Sequence, residues 1–267
     1  MIIPVNGCEY AVHDTGSGPE TIIFGHGYLM THRLFDPQVE ALKDDFRCIT
    51  FDWRGQGDSE ITTGGYDVRD LARDVIGIMD ALEIDRAHYV GLSMGGFVGF
   101  RLLAHYGDRL HSALLFDSDA GAEPTWSWLK YQAMLYMVER FGYDSVIDQV
   151  LPLMFGDTSL RERPEEVKAW AEQIKTQDPR GIVAAGRGIF SRESVLPFLG
   201  TARTPTLIAV GAEDKTTPPE KSATAHDALP NSEMLIIPHA GHSSPVEQPD
   251  AVTQAIRRFI TEKAVVA

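Results

Sequence analysis

The chain has 267 residues, of which 43% are hydrophobic and 23% charged, and it carries a formal net charge of −14 at pH 7. This composition is that of an ordinary globular protein, long enough for one domain with an insertion or for two domains. The acidic charge argues against nucleic acid and anionic membrane surfaces as partners, because the field of the whole protein repels both.

The N-terminal residues show no basic segment followed by a long apolar run, and no stretch of the sequence approaches the length of a membrane span. We therefore expect a cytoplasmic protein. The sequence holds two cysteines, Cys8 and Cys48, both in strand-like runs and without the spacing of a zinc site. They are predicted to be small buried residues rather than a disulfide.

The first third of the chain alternates short apolar runs with segments of helical periodicity. Asn6 and Gly7 indicate the turn of an N-terminal hairpin. Further strands are predicted within residues 21–27, 47–59, 87–91 and 111–117, and helices within residues 67–82 and 97–106. This alternation predicts an α/β fold with a mostly parallel sheet covered by helices on both faces. Ligands of such sheets bind beyond the carboxyl ends of the strands.

The alternation breaks in the middle of the chain, where helical patterns follow one another with no strand between them. This break predicts a helical cap inserted into the sheet domain. Strands return at residues 205–210 and 233–237, and a helix is predicted from about 247 to 263. We therefore divide the chain into a first core part at 1–119, a helical cap at 120–191 and a second core part at 192–267.

A G-x-S-x-G pattern, Gly91-Leu92-Ser93-Met94-Gly95, joins a predicted strand to a predicted helix. Such a pattern suits a sharp turn that exposes the serine hydroxyl, with the next backbone N–H aimed at the atom under attack. An ordinary glycine-rich turn is the alternative interpretation. The two interpretations differ in whether partner residues for the serine follow later in the chain.

A serine hydroxyl becomes a nucleophile when a histidine removes its proton and a carboxylate orients that histidine. Asp214 follows the strand predicted at 205–210, and His242 follows the next strand. The order serine, acid, histidine along the chain is typical of hydrolases with this turn. Asp117 is an alternative for the acid, and His239 is an alternative for the base.

The chain resembles the α/β-hydrolase superfamily along nearly its whole length. The resemblance rests on GLSMGG, DWRGQGDS, GAEDKTTP and AGHSSPVEQP, which match the family in order and at their expected places. It implies Ser93 as nucleophile, His242 as base and Asp214 as the acid at the family's usual position, while Asp117 has the position that some members use. It also implies an oxyanion hole formed by the N–H groups of Met94 and Tyr28, with no cofactor and no metal.

Three branches of the superfamily share further features with this chain. Phe35 and Gln38, after the segment FGHGYLM, resemble an aromatic-x-x-Gln pattern of aryl esterases and cofactor-free haloperoxidases. Leu29 stands where perhydrolases tend to carry proline, which favours plain hydrolysis. The segment GLSMGGFVG also resembles 3-oxoadipate enol-lactonases, although their Asn-Ser-Leu-Gly loop is missing here.

The first hypothesis is therefore a serine hydrolase that cleaves small carboxylic esters or lactones through an acyl-enzyme. A perhydrolase or haloperoxidase, or a carbon–carbon bond hydrolase, would use the same three residues. A non-catalytic ligand receptor is the hypothesis from another class, because a fold does not fix a function. We expect a monomer or a homodimer.

A cap has to bury one face over the crevice, so part of its apolar side chains should line a substrate pocket. Aromatic residues and methionines at helical spacing also fill ordinary cores. The residues predicted to line the pocket are His26, Leu29, Trp126, Trp128, Met137, Met154 and Phe155.

Overall fold

The computed structural model of the protein describes residues 1–264. The strands in these residues are β1 (Ile2–Val5), β2 (Cys8–Asp14), β3 (Thr21–Gly25), β4 (Arg47–Phe51), β5 (Ala87–Leu92), β6 (Leu110–Phe116), β7 (Thr206–Gly211) and β8 (Ser232–Ile237). Within this part of the chain they form one eight-stranded sheet in the order β1-β2-β4-β3-β5-β6-β7-β8.

The sheet is antiparallel at one edge and parallel elsewhere. β1 and β2 form the predicted hairpin, and its turn residues Asn6 and Gly7 have positive φ angles of 47° and 73°, as a tight two-residue hairpin turn requires. β2 pairs antiparallel with β4, and every later pairing, from β3–β4 to β7–β8, is parallel. The prediction of a mostly parallel sheet is confirmed.

Helices cover both faces of the sheet and also make up most of the chain between β6 and β7. They are α1 (Asp36–Leu42), α2 (Val68–Ala81), α3 (Met94–His105), α4 (Thr125–Phe141), α5 (Ile147–Met154), α6 (Asp157–Glu162), α7 (Pro164–Lys175), α8 (Pro179–Phe190), α9 (Leu196–Leu199), α10 (Pro219–Ala228), α11 (Ser244–Glu247) and α12 (Pro249–Ala264). Short 3₁₀ turns lie at His32–Phe35, Gly107–Arg109 and Tyr143–Ser145.

Two buried hydrophobic clusters lie on opposite faces of the sheet. Val75 of α2 and Val98 of α3 belong to one cluster, and Leu42 of α1 and Phe259 of α12 belong to the other. α2 begins at a side-chain cap, because the carboxylate of Asp67 accepts a hydrogen bond from the N–H of Arg69. Burial of apolar surface on both faces is what holds a parallel sheet together.

The chain between β6 and β7 is helical from α4 to α9. We use the name cap for residues 120–191, the limits predicted from the sequence, and these limits stay a prediction. None of the helices in residues 1–264 combines the length and the hydropathy of a membrane span. Cys8 and Cys48 are buried free thiols, as predicted.

The cap helix α8 approaches the core closely because glycines face the core backbone. A methyl group on Gly181 would collide with the carbonyl oxygen of Gly55, and one on Gly188 would collide with that of Tyr66. No larger residue fits there unless the cap backbone moves. These contacts fix the height of the cap above the sheet.

Gly181→Ala should therefore destabilise the protein by roughly 1–3 kcal/mol, because an added methyl group has to displace backbone rather than a flexible side chain. Gly200→Ala is the matched control, since a methyl group at Gly200 meets open space and removes only backbone freedom of the unfolded chain. Urea unfolding of both variants measures the difference. Equal stabilities would contradict the close contact.

Candidate active site

Ser93 stands at the turn between β5 and α3 with φ 51° and ψ −110°. These backbone angles are costly for a residue other than glycine and are held only where the surroundings demand them. A methyl group on Gly95 would collide with the carbonyl of Gly25, and one on Gly91 would meet the backbone of Gly95. The helix can therefore start directly against the sheet, and the serine is left at its carboxyl edge.

The structure brings Ser93, His242 and Asp214 together from the ends of three strands. Nε2 of His242 lies 2.7 Å from Oγ of Ser93, and Nδ1 lies 2.9 Å from Oδ2 of Asp214. The carboxylate can only accept, so Nδ1 carries the ring proton and Nε2 is free to accept the serine proton. This arrangement leaves a histidine in the tautomer that can act as a base toward Ser93.

Asp214 is fixed by the loop that follows it. Its Oδ1 accepts hydrogen bonds from the N–H groups of Thr216 at 2.8 Å and Thr217 at 2.9 Å, and its Oδ2 accepts one from the Thr217 hydroxyl at 2.8 Å. These donors hold the carboxylate in one orientation. The sequence motif GAEDKTTP contains both threonines, but the pattern alone does not predict this role.

Hydrogen bonding and charge within the pair oppose the effect of burial. Burial favours the neutral forms, but the charge and hydrogen bond of His242, with the donors of Thr217, lower the pKa of Asp214 below its usual value. Burial likewise disfavours the imidazolium, yet the charge and hydrogen bond of Asp214 raise the pKa of His242 above 6.5. The pair therefore favours a charged imidazolium once a proton arrives.

Of the two alternative residues, one makes other hydrogen bonds near the site and the other faces solvent. Asp117 is fully buried, and its carboxylate accepts hydrogen bonds from Gly211 N at 2.7 Å and from the Ser244 hydroxyl at 2.5 Å. Burial, with the nearby charge of Asp214, raises the pKa of Asp117 to about 7. His239 is exposed on the turn after β8. Asp214 and His242 are thus the pair that meets Ser93.

The loop after β3 lies against the serine. A methyl group on Gly27 would come within 3.6 Å of Cβ of Ser93, so the backbone of the adjacent Tyr28 lies beside it. Leu29 has a left-handed φ of 69°, its N–H donates to Oε1 of Gln56 at 3.0 Å, and its carbonyl accepts a hydrogen bond from Gln177 of the cap. Two glutamine side chains therefore set the shape of this loop.

The N–H of Met94 lies in the first turn of α3, where helix N–H groups have no acceptor one turn earlier. The positive end of the helix dipole lies at the same point. The Tyr28 loop and the start of α3 thus flank Ser93. This geometry suits the stabilisation of negative charge on the carbonyl oxygen of an acyl group that the serine attacks.

His26 supports the loop after β3 through hydrogen bonds to the backbone. It is fully buried, its Nε2 accepts a hydrogen bond from the N–H of Trp53, and its Nδ1 lies 2.8 Å from the carbonyl of Gly27. Burial lowers the pKa of His26 to about 4, so the ring is neutral near pH 7. Its two nitrogens are both engaged with the backbone.

A largely apolar cavity lies between the serine and the cap, with about 940 Å³ of empty space when the part open to solvent is included. Ser93 and His242 form part of its wall. The tyrosine hydroxyls of Tyr28 and Tyr143 donate to backbone carbonyls. Glu123 and Arg192, an ion pair at 2.9 Å, give the wall a polar patch. The apolar wall includes Tyr131, Leu135, Val138, Ile182, Ile189 and Phe190.

Of the residues predicted to line the pocket, Leu29 and Met154 do so. The other five are not part of the cavity wall: they are His26, Trp126, Trp128, Met137 and Phe155. Trp126 is 73% exposed, and Phe155 and His26 are buried outside the wall residues. On α4, the side chains of Tyr131, Met134, Leu135 and Val138 face the cavity instead of those of Trp126, Trp128 and Met137.

The turn at residues 52–59, also matched by the sequence pattern, supports the fold near the site. Asp52 accepts hydrogen bonds from the N–H groups of His32 at 2.7 Å and Asp58 at 3.0 Å. The guanidinium of Arg54 pairs with Asp74 at 2.7 Å inside the protein. These contacts hold the turn and the chain around it in place.

The fold and the site define a class of hydrolases built on a mostly parallel sheet, with a nucleophile at a strand-to-helix turn. Residues 20–249 match the family model described as alpha/beta hydrolase fold, and the chain belongs to this family.

Relatives cover almost the whole chain. It is 27% identical to 3-oxoadipate enol-lactonase 1 of Acinetobacter baylyi over 91% of both chains. A thermophilic esterase from Thermogutta terrifontis, solved with malate, is 30% identical with a TM-score of 0.92, covering 98% of this chain and 99% of its own. The enol-lactonase of Burkholderia xenovorans LB400 is 27% identical with a TM-score of 0.90, covering 98% and 100%.

The geometry of the site predicts the ionisation of His242. An NMR titration of the imidazole should give a pKa above 6.5 in the native protein and a lower value in Asp214→Asn, because the amide removes the negative charge that favours the imidazolium. Asp227→Asn, an exposed carboxylate on α10, is the control. A His242 pKa that is the same in native protein and Asp214→Asn would mean that the pair does not form in solution.

Proposed function

We propose that the protein is a serine hydrolase that cleaves carboxylic esters or lactones through an acyl-enzyme intermediate. Ser93 is the nucleophile, His242 the general base and Asp214 the residue that orients it. The observation that carries the proposal is the hydrogen-bonded chain from Asp214 through His242 to Ser93 at the wall of an apolar cavity.

Acylation begins when Oγ of Ser93 attacks the acyl carbon and His242 takes the serine proton on Nε2. The imidazolium forms against the charged carboxylate of Asp214, which stabilises it. The acyl oxygen becomes negative in the tetrahedral intermediate, where the N–H groups of Met94 and Tyr28 would donate to it. His242 then gives the proton to the leaving alcohol oxygen, and the ester bond breaks.

Deacylation uses the same groups with water in place of the serine. His242 removes a proton from water as the water oxygen attacks the acyl-enzyme, and the imidazolium returns that proton to Oγ of Ser93. An open-chain ester gives an acid and an alcohol. A lactone gives one hydroxy acid, because its leaving oxygen remains attached to the acyl group.

Two further observations support esters and lactones as substrates. The relatives with matching length are named an esterase and enol-lactonases. The cavity wall beside Ser93 is mostly apolar and suits an uncharged acyl group. A cytoplasmic location and a monomeric or homodimeric state stay predictions.

The test is hydrolysis of p-nitrophenyl esters of increasing acyl length beside a panel of lactones. Ser93→Ala should lose at least about a thousandfold in kcat, since the members of such a catalytic set depend strongly on one another. Ser191→Ala, an exposed serine at the end of α8, should keep native rates. An acyl length or ring size with the highest kcat/KM would give the dimensions of the cavity.

Full activity of Ser93→Ala would overturn the mechanism. Absence of turnover on every ester and lactone, with Ser93 still labelled by a fluorophosphonate, would contradict the substrate class and leave the nucleophile in place. Peroxide-dependent activity or cleavage of carbon–carbon bonds would then be measured with the same two variants.

A further inference from the structure

Glu247, in the Glu-x-Pro segment after His242, has no part in the chemistry proposed above. Its side chain lies at the end of α11 and is 2% exposed. Oε1 accepts hydrogen bonds from the N–H groups of Gly241 at 2.8 Å and Ser243 at 3.2 Å. These residues stand on either side of His242, so one carboxylate oxygen holds the backbone that carries the imidazole.

The other oxygen of Glu247 binds the cap. Oε2 accepts hydrogen bonds from the N–H of Gly156 at 2.8 Å and the hydroxyl of Ser159 at 2.6 Å, where α6 begins. A methyl group on Gly241 would collide with the backbone N of Gly156. The cap backbone therefore lies directly on the loop that carries His242.

The loop that carries Asp214 binds the same part of the cap. Oε2 of Glu213 accepts a hydrogen bond from Thr158 N at 2.8 Å, and its Oε1 accepts one from the Thr158 hydroxyl at 2.5 Å. The hydroxyl of Thr216 donates to the carbonyl of Leu153 at 2.7 Å. Residues 153–159 are thus held by both loops, and this segment begins with Leu153 and Met154 in the cavity wall.

We propose that Glu247 is a positioning residue that sets His242 against Ser93 and couples its placement to residues 153–159 of the cap. This inference rests on the proposed function. Four donors, three N–H groups and one hydroxyl, face the two carboxylate oxygens. An uncharged amide cannot accept from all of them, because its NH₂ group would face donors on one side.

Removal of Glu247 should therefore affect the histidine and the cap together. A displacement of the imidazole by about 1 Å can lower the reaction rate by about a hundredfold, because the proton transfer needs close alignment. The carboxylates that raise the pKa of His242 are Asp214 from the loop after β7, Asp117 from the end of β6 and Glu247 from α11. Loss of one negative charge should lower the pKa of His242.

The experiment compares Glu247→Gln with Glu213→Gln on the best p-nitrophenyl ester across pH. Glu247→Gln is expected to lower kcat by about a hundredfold and to move the midpoint of the acid limb of kcat/KM to lower pH. Glu213→Gln removes a carboxylate that binds the cap alone, so that midpoint should stay at its native value. Urea unfolding reports the stability of each variant.

Two milder variants distinguish the effect of the Glu247 charge from the effects of its position and of its contact with the cap. Glu247→Asp keeps the charge on a shorter side chain, so the acid limb should return to its native midpoint while kcat stays low. Ser159→Ala removes one cap contact and keeps both bonds beside His242. It should change KM and the preferred acyl length and lower kcat less than Glu247→Gln does, because the bonds to Gly241 and Ser243 remain. These two variants carry the test if Glu247→Gln does not fold.

Native kcat and a native acid limb in folded Glu247→Gln would overturn the inference. Equal losses in the two glutamine variants without a shift of the acid limb would also overturn it, because a purely structural carboxylate predicts that result. Ser93→Ala and an NMR titration of His242 are run in parallel. Full activity of Ser93→Ala contradicts the proposed function, whereas an unchanged His242 pKa in Glu247→Gln contradicts only the role of Glu247.

Discussion

The left-handed backbone of Ser93 is the constraint on which the rest of the site depends. A φ of 51° at a serine has to be maintained by its surroundings, and glycines provide the room: Gly91 and Gly95 let α3 begin against the sheet. The N–H of Ser93 is bonded to the carbonyl of Phe116 at 3.0 Å. As a result, the hydroxyl and the first free N–H groups of α3 lie at one point of the sheet edge.

Buried carboxyl groups are the second constraint, because Asp117, Asp214 and Glu247 all lie near His242. Each of them would be costly in the interior without compensation. Asp214 is compensated by His242 and by the donors of its own loop, and Glu247 by four donors. Asp117, next to Asp214, is the group whose pKa burial raises to about 7. The hydrogen bonds that reduce this cost also hold the loops after β7 and β8 in place.

The sequence predicted the features that local chemistry determines. The hairpin turn at Asn6-Gly7, the helix at Val68–Ala81 and the place of Ser93 between a strand and a helix each depend on residues close in the chain. The cavity wall could not be predicted, because α4 carries apolar residues all round. Periodicity does not tell the outer Trp126 from the inner Tyr131. α10 was missed since PEKSATAHDA has too few apolar residues to show a period.

The cap contacts the loops around Ser93 and also forms part of the cavity wall. Gln177 holds the loop of Leu29, next to the N–H proposed for the oxyanion, and residues 153–159 lie on the loops of His242 and Asp214. A change that moved the cap to admit a larger substrate would therefore also move groups beside the serine. Helix α8 contacts the core through glycine backbone, so a shift of the whole cap would break this close packing. We therefore expect the substrate range of this protein to change through side chains inside the cavity. Tyr131 is an example, since its ring stacks on that of Phe190 with the ring centroids 4.3 Å apart.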